Sequence, residues 1–176
     1  MSVANDNQPI PWYTYASAAF LKDRIRPEWS VFEYGSGNST LWWAELVHKG
    51  KVISCEHEAA WYEIMRDRVP DHVELHYQAL EPEGNYSGFI TRHPNRFDVI
   101  VIDGRQRLAC AEYASGALKS GGVIVWDNSD REDYRPGFDL LQQQGFKRLE
   151  FTGMGPINSM GWSTSILYRP NNCLGI

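Results

Sequence analysis

A chain of 176 residues is one ordinary domain's worth, long enough to bury a core without disulfide or metal staples. A hydrophobic share of 43% and a charged share of 22% exclude a disordered chain, and no apolar run reaches the length of a membrane span. The formal net charge of −5 weighs against a nucleic-acid-binding surface, which needs clustered Lys and Arg.

Met1 to Pro11 is polar and proline-containing, a loose lead-in with neither the basic start nor the apolar core of a secretory signal. From Trp12 to Ile25 apolar residues recur at helical spacing, closed by Pro27. Val31–Tyr34 is a short strand broken by Gly35-Ser36-Gly37, and LWWAELVHK is a helix entered through the capping types Asn38, Ser39 and Thr40. Strand Lys51–Cys55, helix Ala59–Val69 and strand His72–Tyr77 follow, then an irregular stretch from Leu80 to Asn95. Asp98–Ile102 is apolar without alternation, as in a strand covered on both faces. A helix over about Arg107–Lys119 and a buried strand Val123–Trp126 complete the alternation. After the helix Gly137–Gln144 the pattern changes, because strands Phe146–Phe151 and Ser163–Tyr168 have only the turn-rich TGMGPINSMGW between them. That stretch suits a mobile flap and an antiparallel pairing, not a crossover helix.

The order predicts a single α/β domain over residues 1–176. Its sheet is doubly wound, mostly parallel and seven-stranded, with a C-terminal antiparallel hairpin and helices on both faces. Cys55, Cys110 and Cys173 are odd in number and lack metal-ligand spacing, so they read as reduced thiols of a cytoplasmic protein.

In such a sheet a ligand sits beyond the carboxyl end of the first strand, at the switch point. That place holds EYGSGNST. The glycines permit a tight turn, and the helix start offers free N–H groups to an anion, either a pyrophosphate or a methionine carboxylate. The dinucleotide fingerprint wants a third glycine where Thr40 stands, and Glu33 suits an ammonium or sulfonium better than a phosphate. Glu56, 19 residues after Gly37, ends the second strand where a carboxylate can accept ribose hydroxyls. Solvated strand ends are the bland alternative for either acid alone.

EYGSGNST, the acid in SCEHE, FDVIVIDG and LKSGGVIVWDN together resemble the successive motifs of class I S-adenosylmethionine-dependent methyltransferases, from about Val31 to Asn128. The resemblance implies that Glu33, Gly35, Ser36, Gly37 and Asn38 surround the methionine end. Ser39 or Thr40 meets its carboxylate, and Glu56 holds the ribose with His57 close by. Gln78, after the third strand, and Asp103, after the fourth, complete the cofactor set.

Asp103 and the pair Asp127-Asn128 end neighbouring strands, an oxygen set that a hard cation accepts. They are similar to the Asp and Asp-Asn with which catechol-type O-methyltransferases bind magnesium or calcium. That resemblance implies a divalent cation on Asp103, Asp127 and Asn128. N-capping of the next helices is the alternative. The lysine that this family carries as base is missing. Arg105 and Arg107 stay protonated and can only clamp an acidic group, which leaves Asp103 and Arg105 as the candidate catalytic pair. Trp42, Trp43 and Trp61 read as packing.

The expectation is thus transfer of a methyl group to the oxygen of a small hydroxylated metabolite or sugar. N-methylation and a non-catalytic binding or scaffold role of the same fold remain as alternatives. The partner is a small acceptor, neither nucleic acid nor membrane, with room for a homo-oligomer.

Overall fold

The computed structural model describes residues 9–176, so most of the expected lead-in lies outside the described residues, although Pro11 is buried. Strands β1 (Ser30–Tyr34), β2 (Lys51–Glu56), β3 (Val73–Tyr77), β4 (Phe97–Ile102) and β5 (Leu118–Asp127) run parallel. Strands β6 (Lys147–Gly155) and β7 (Asn158–Tyr168) close the sheet as an antiparallel hairpin, giving the order β3-β2-β1-β4-β5-β7-β6. The chain steps outward from β1 to β3, then returns to the other side of β1 with β4. This reversal opens a crevice at the carboxyl ends of β1 and β4.

The apolar strands face two cores, and the sequence divides them by side-chain size. Val31, Val99, Val101, Val123 and Val125 point to one face, where they meet α1 (Tyr15–Lys22) and α2 (Asn38–Leu46). The bulk there comes from the helix side: Trp42 and Trp43 are buried, and the Trp43 indole donates to the Tyr13 hydroxyl at 3.1 Å. The residues between the valines, Phe32, Tyr34, Ile100, Ile102, Ile124 and Trp126, point to the opposite face. There α4 (Arg107–Ala117) presents the small Cys110, Ala111, Ala114 and Ala117, and α5 (Arg135–Gln143) adds Phe138 and Leu141. Large strand residues thus oppose small helix residues on one side and the reverse holds on the other, which keeps both layers filled. Helix α3 (Ala59–Arg66) covers β2 and β3, and the stretch after β3 contains a 3-10 helix, Ser87–Arg92. No helix among the described residues is long and apolar enough to cross a membrane.

The expectation of a flap over TGMGPINSMGW is corrected. Thr152 pairs with Ser163, Gly153 with Trp162, and Gly155 with Asn158, so the strands run nearly to the Pro156-Ile157 turn. A Cβ on Gly155 would lie 2.5 Å from the Tyr13 carbonyl oxygen and 2.4 Å from the Trp162 ring. The glycine therefore lets the hairpin tip press down on the segment before α1, where the sequence suggested only a loose loop.

Because Ile100 is fully buried in the middle of the sheet, Ile100→Ala should lower unfolding free energy by about 2–5 kcal/mol. Ile64→Ala, on the exposed side of α3, should stay within about 0.5 kcal/mol in the same urea titration.

Candidate functional site

The crevice is a cleft of about 510 Å³ into which Glu33, Gly35, Ser36, Ser39, Glu56, His57, Asp103 and Asn128 all project. Its narrowest construction is the contact between the turns after β1 and β4. Gly35 has a φ of +99°, and a Cβ on it would stand 3.3 Å from the Gly104 Cα. A Cβ on Gly104 would collide with the Tyr86 hydroxyl at 1.9 Å. The two loops touch because both residues are glycine. Gly104, overlooked in the motif, is as demanding as Gly35. Gly37 is different: its φ of 165° is ordinary extended backbone, and a Cβ there would meet nothing within 4 Å. Close approach of protein to protein does not require glycine at 37, and the space beside it is open.

Glu33 and Glu56 are not solvated strand ends; they are 1% and 3% exposed. Thr40 accepts from the Gly37 N–H at 2.9 Å and donates to Glu33 Oε2, which the Ser54 hydroxyl also reaches at 3.4 Å. Thr40 is fully buried by this role, so the expectation that it meets a ligand carboxylate is corrected in favour of Ser39, which lines the cleft. Glu33 Oε1 is buried and has no partner in the protein. Burial pushes the Glu33 carboxyl up to about 7, against the hydrogen bonds from Ser39, Thr40 and Ser54. Glu56 is held by its own loop: the His57 and Glu58 N–H groups donate to Oε1 at 2.8 and 2.9 Å, and the Ser36 hydroxyl to Oε2 at 2.7 Å. Oε2 keeps acceptor capacity toward the cleft. Asn38 lines a smaller cavity of about 80 Å³ that shares Ser36, Ser39 and Asp103 with the cleft. Gln78 does not line the cleft; its backbone N–H donates to the Glu56 carbonyl at 2.9 Å.

At the ends of β4 and β5 the expected cation site is corrected. Asp127 is buried, and its Oδ1 accepts from the Trp162 indole at 3.0 Å and the Thr164 hydroxyl at 2.6 Å. The Arg107 guanidinium lies between the two strand ends. Its Nη2 reaches the Asp103 carbonyl at 2.7 Å and Asp103 Oδ1 at 3.1 Å, its Nε the Gly104 carbonyl at 2.9 Å, and its Nη1 the Asp127 carbonyl. A fixed cation of the protein already stands against the Asp103 carboxylate and the Asp127 carbonyl. Among the described residues, no three His, Cys, Asp or Glu side chains converge as a metal-binding group. Asn128 lines the cleft with a left-handed φ of 50°, turning the chain out of β5. The residues present therefore do not fit a divalent ion. Nor does Asp103 cap α4, whose N-cap is Gln106 with no side-chain cap. Burial and the nearby Asp127 carboxylate push the Asp103 carboxyl up, and the Arg107 ion pair opposes them. Arg105 stands exposed on the cleft rim.

Apolar walls come from places the motifs did not mark. Trp61 is corrected from packing to lining: it projects from the first turn of α3, and its indole donates to the Ser36 carbonyl at 2.8 Å. Trp12 enters from the segment before α1, and Ile157 from the hairpin tip. Trp61 had a readable signal, since the turn after β2 faces the crevice in any open parallel sheet. Trp12 and Ile157 had none, because only the tertiary fold brings them there.

Residues 32–129 match the family described as Methyltransferase domain. No curated protein matches the chain in sequence. Among solved structures, it is similar to the O-methyltransferase from Bacillus cereus in complex with SAH, at a TM-score of 0.68 and 22% identity over 93% of this chain and 86% of that one. It is also similar to a methyltransferase-like protein from Silicibacter pomeroyi, at 0.63 and 19% over 94% and 91%. Precorrin-6y C5,15-methyltransferase from Geobacter metallireducens aligns at 0.62 and 19% over 86% of each chain. The sheet order, the switch-point crevice and these likenesses define a Rossmann-like α/β methyltransferase fold. The chain belongs to the methyltransferase-domain family.

Arg107→Met should destabilise the protein by about 3–5 kcal/mol in urea, because it strands a part-buried carboxylate and three carbonyls. Glu33 adds a pH dependence. Between pH 4.5 and about 7 the folded state holds a proton that the unfolded state has released, so stability falls as pH rises through that window. The slope approaches about 1.4 kcal/mol per pH unit. Glu33→Gln should remove it, as unfolding curves at pH 5 and 7.5 will register.

Proposed function

We propose that this protein transfers a methyl group from S-adenosylmethionine to a hydroxyl oxygen of a small metabolite. The observation that carries the reading is a pair of buried carboxylates at the ends of adjacent strands, one of them, Glu33, with an oxygen no protein group satisfies. A buried carboxylate without a partner is costly, and a cationic ligand supplies the missing interaction. Glu56 would hold the ribose hydroxyls, and Ser39 with the start of α2 would receive the methionine carboxylate. When bound, S-adenosylmethionine supplies an electrophilic methyl on a sulfonium.

The residues of the chain do the rest. Glu33 and Glu56 fix the donor, Trp12, Trp61 and Ile157 exclude water, and Asp103 waits at the acceptor end of the cleft. An acceptor hydroxyl held in line with that methyl would need only to lose its proton, which Asp103 would take. Burial raises Asp103's proton affinity, which suits it to the task, while Arg107 fixes its orientation. No divalent cation belongs to this reading, because Arg107 already pairs with Asp103 and the Oδ1 of Asp127 is engaged by Trp162 and Thr164. The Bacillus cereus neighbour is named an O-methyltransferase, which supports oxygen as the acceptor atom. The acidic net charge supports a small molecule over nucleic acid.

Isothermal titration tests the cofactor assignment. The protein should bind S-adenosylmethionine and its demethylated product, and Glu56→Ala should weaken both by about 1.5–3 kcal/mol. Absence of binding would leave the scaffold role standing; unchanged affinity in a folded Glu56→Ala protein would remove Glu56 from the ribose.

A further inference from the structure

The arginines lining the cleft all stand on one side of it. Glu33, Glu56 and Glu58 belong to the β1–β2 side, and Arg105, Arg107 and Arg131 to the β4–β5 side, together with Asp103 and Asp127. The acids at the bottom are turned toward protein donors: Glu33 to Thr40 and Ser54, Asp103 to Arg107, Asp127 to Trp162 and Thr164. Arg105 and Arg131 are not answered by any of them. Arg105 makes no ion pair and no side-chain hydrogen bond among the described residues. Arg131 leans over the Tyr134 ring at 5.9 Å and reaches its hydroxyl at 3.5 Å, which leaves most of its donors free. Its sequence neighbours Asp130 and Glu132 line, together with Arg131 itself, a second groove between α5 and β6, and Asp130 accepts the Ser163 N–H at 3.0 Å.

Both arginines stand on fixed turns. Gln106, next to Arg105, holds a left-handed φ of 47° and donates from Nε2 to the Glu81 carbonyl at 3.3 Å. Arg131 follows the left-handed Asn128, and its N–H returns to the Asn128 carbonyl at 3.3 Å. These two guanidinium groups line the same cleft as Asp103, and a guanidinium is the side chain best suited to a planar or tetrahedral oxyanion.

We infer that the methyl acceptor is an anion, whose carboxylate or phosphate group is gripped between Arg105 and Arg131 while its nucleophilic oxygen lies toward Asp103. The inference rests on the methyltransferase reading and names its substrate class. An anionic acceptor also complements the cleft, because Arg107 is paired with Asp103 whereas Arg105 and Arg131 make no ion pair among the described residues.

The test is calorimetric titration of the protein saturated with S-adenosylhomocysteine, at low ionic strength, with inorganic phosphate, benzoate and the uncharged benzyl alcohol as probes. At least one anion should bind and benzyl alcohol should not. Arg105→Gln and Arg131→Gln should each weaken the anion by about tenfold, the loss of one charge-assisted hydrogen bond, with S-adenosylhomocysteine affinity unchanged. Added salt should weaken the anion in parallel. Preference for benzoate or for phosphate identifies the group that the acceptor carries. If S-adenosylhomocysteine binds but neither anion does, or the double variant binds anion like the wild type, the clamp is overturned and the methyltransferase reading survives. Failure of S-adenosylhomocysteine itself to bind overturns both.

Discussion

The cleft depends on the Arg107 guanidinium, which ties the carboxyl ends of β4 and β5 together. Its bonds to the Asp103, Gly104 and Asp127 carbonyls satisfy backbone oxygens that parallel strands leave open where they stop. With those ends fixed, Gly104 meets Gly35, and the turns after β1 and β4 share one floor. Asp103 keeps its position because this cation of the chain itself is buried beside it. An ion drawn from solvent would have to displace it.

The same economy runs through the acidic side. Burying Glu33 and Glu56 together is unfavourable, and the chain offsets the cost with short-range donors: hydroxyls of Ser36, Ser54 and Thr40, and the N–H groups at the start of α3. What remains is one oxygen of Glu33 facing inward without a partner. Such an atom calls for an explanation, and at the lining of a cleft a bound ligand supplies one.

Much of this was legible in the sequence, and the reasons are local. The switch from strand to helix every dozen residues, the apolar run FDVIVI and the missing crossover between β6 and β7 specified the topology, because each is a short-range pattern. Glu33, Glu56 and the glycine turn were legible because their spacing is fixed by one βαβ unit. Roles decided by long-range contacts were not. Thr40 and Asp127 have residue types common to ligands and to internal hydrogen bonds, and only the positions of Glu33, Trp162 and Thr164 separate the two. Arg107 was visible as a cation, but its burial depends on where β5 ends. Trp12 and Ile157 come from opposite ends of the sequence and meet only in the folded cleft.

The antiparallel hairpin bears on the order in which a growing chain acquires its parts. Residues up to β5 contain both glycine turns, Glu33, Glu56, Asp103 and Arg107, so every part of the cleft floor precedes β6 and β7 in the chain. Asp127, the last residue of β5, takes its side-chain donors from β7 alone. Only when β7 emerges and slides in beside β5 do Trp162 and Thr164 reach it, and only then does Ile157 arrive opposite Trp12. The donors that hold Asp127 and the Ile157 wall of the cleft therefore arrive together, on one hairpin.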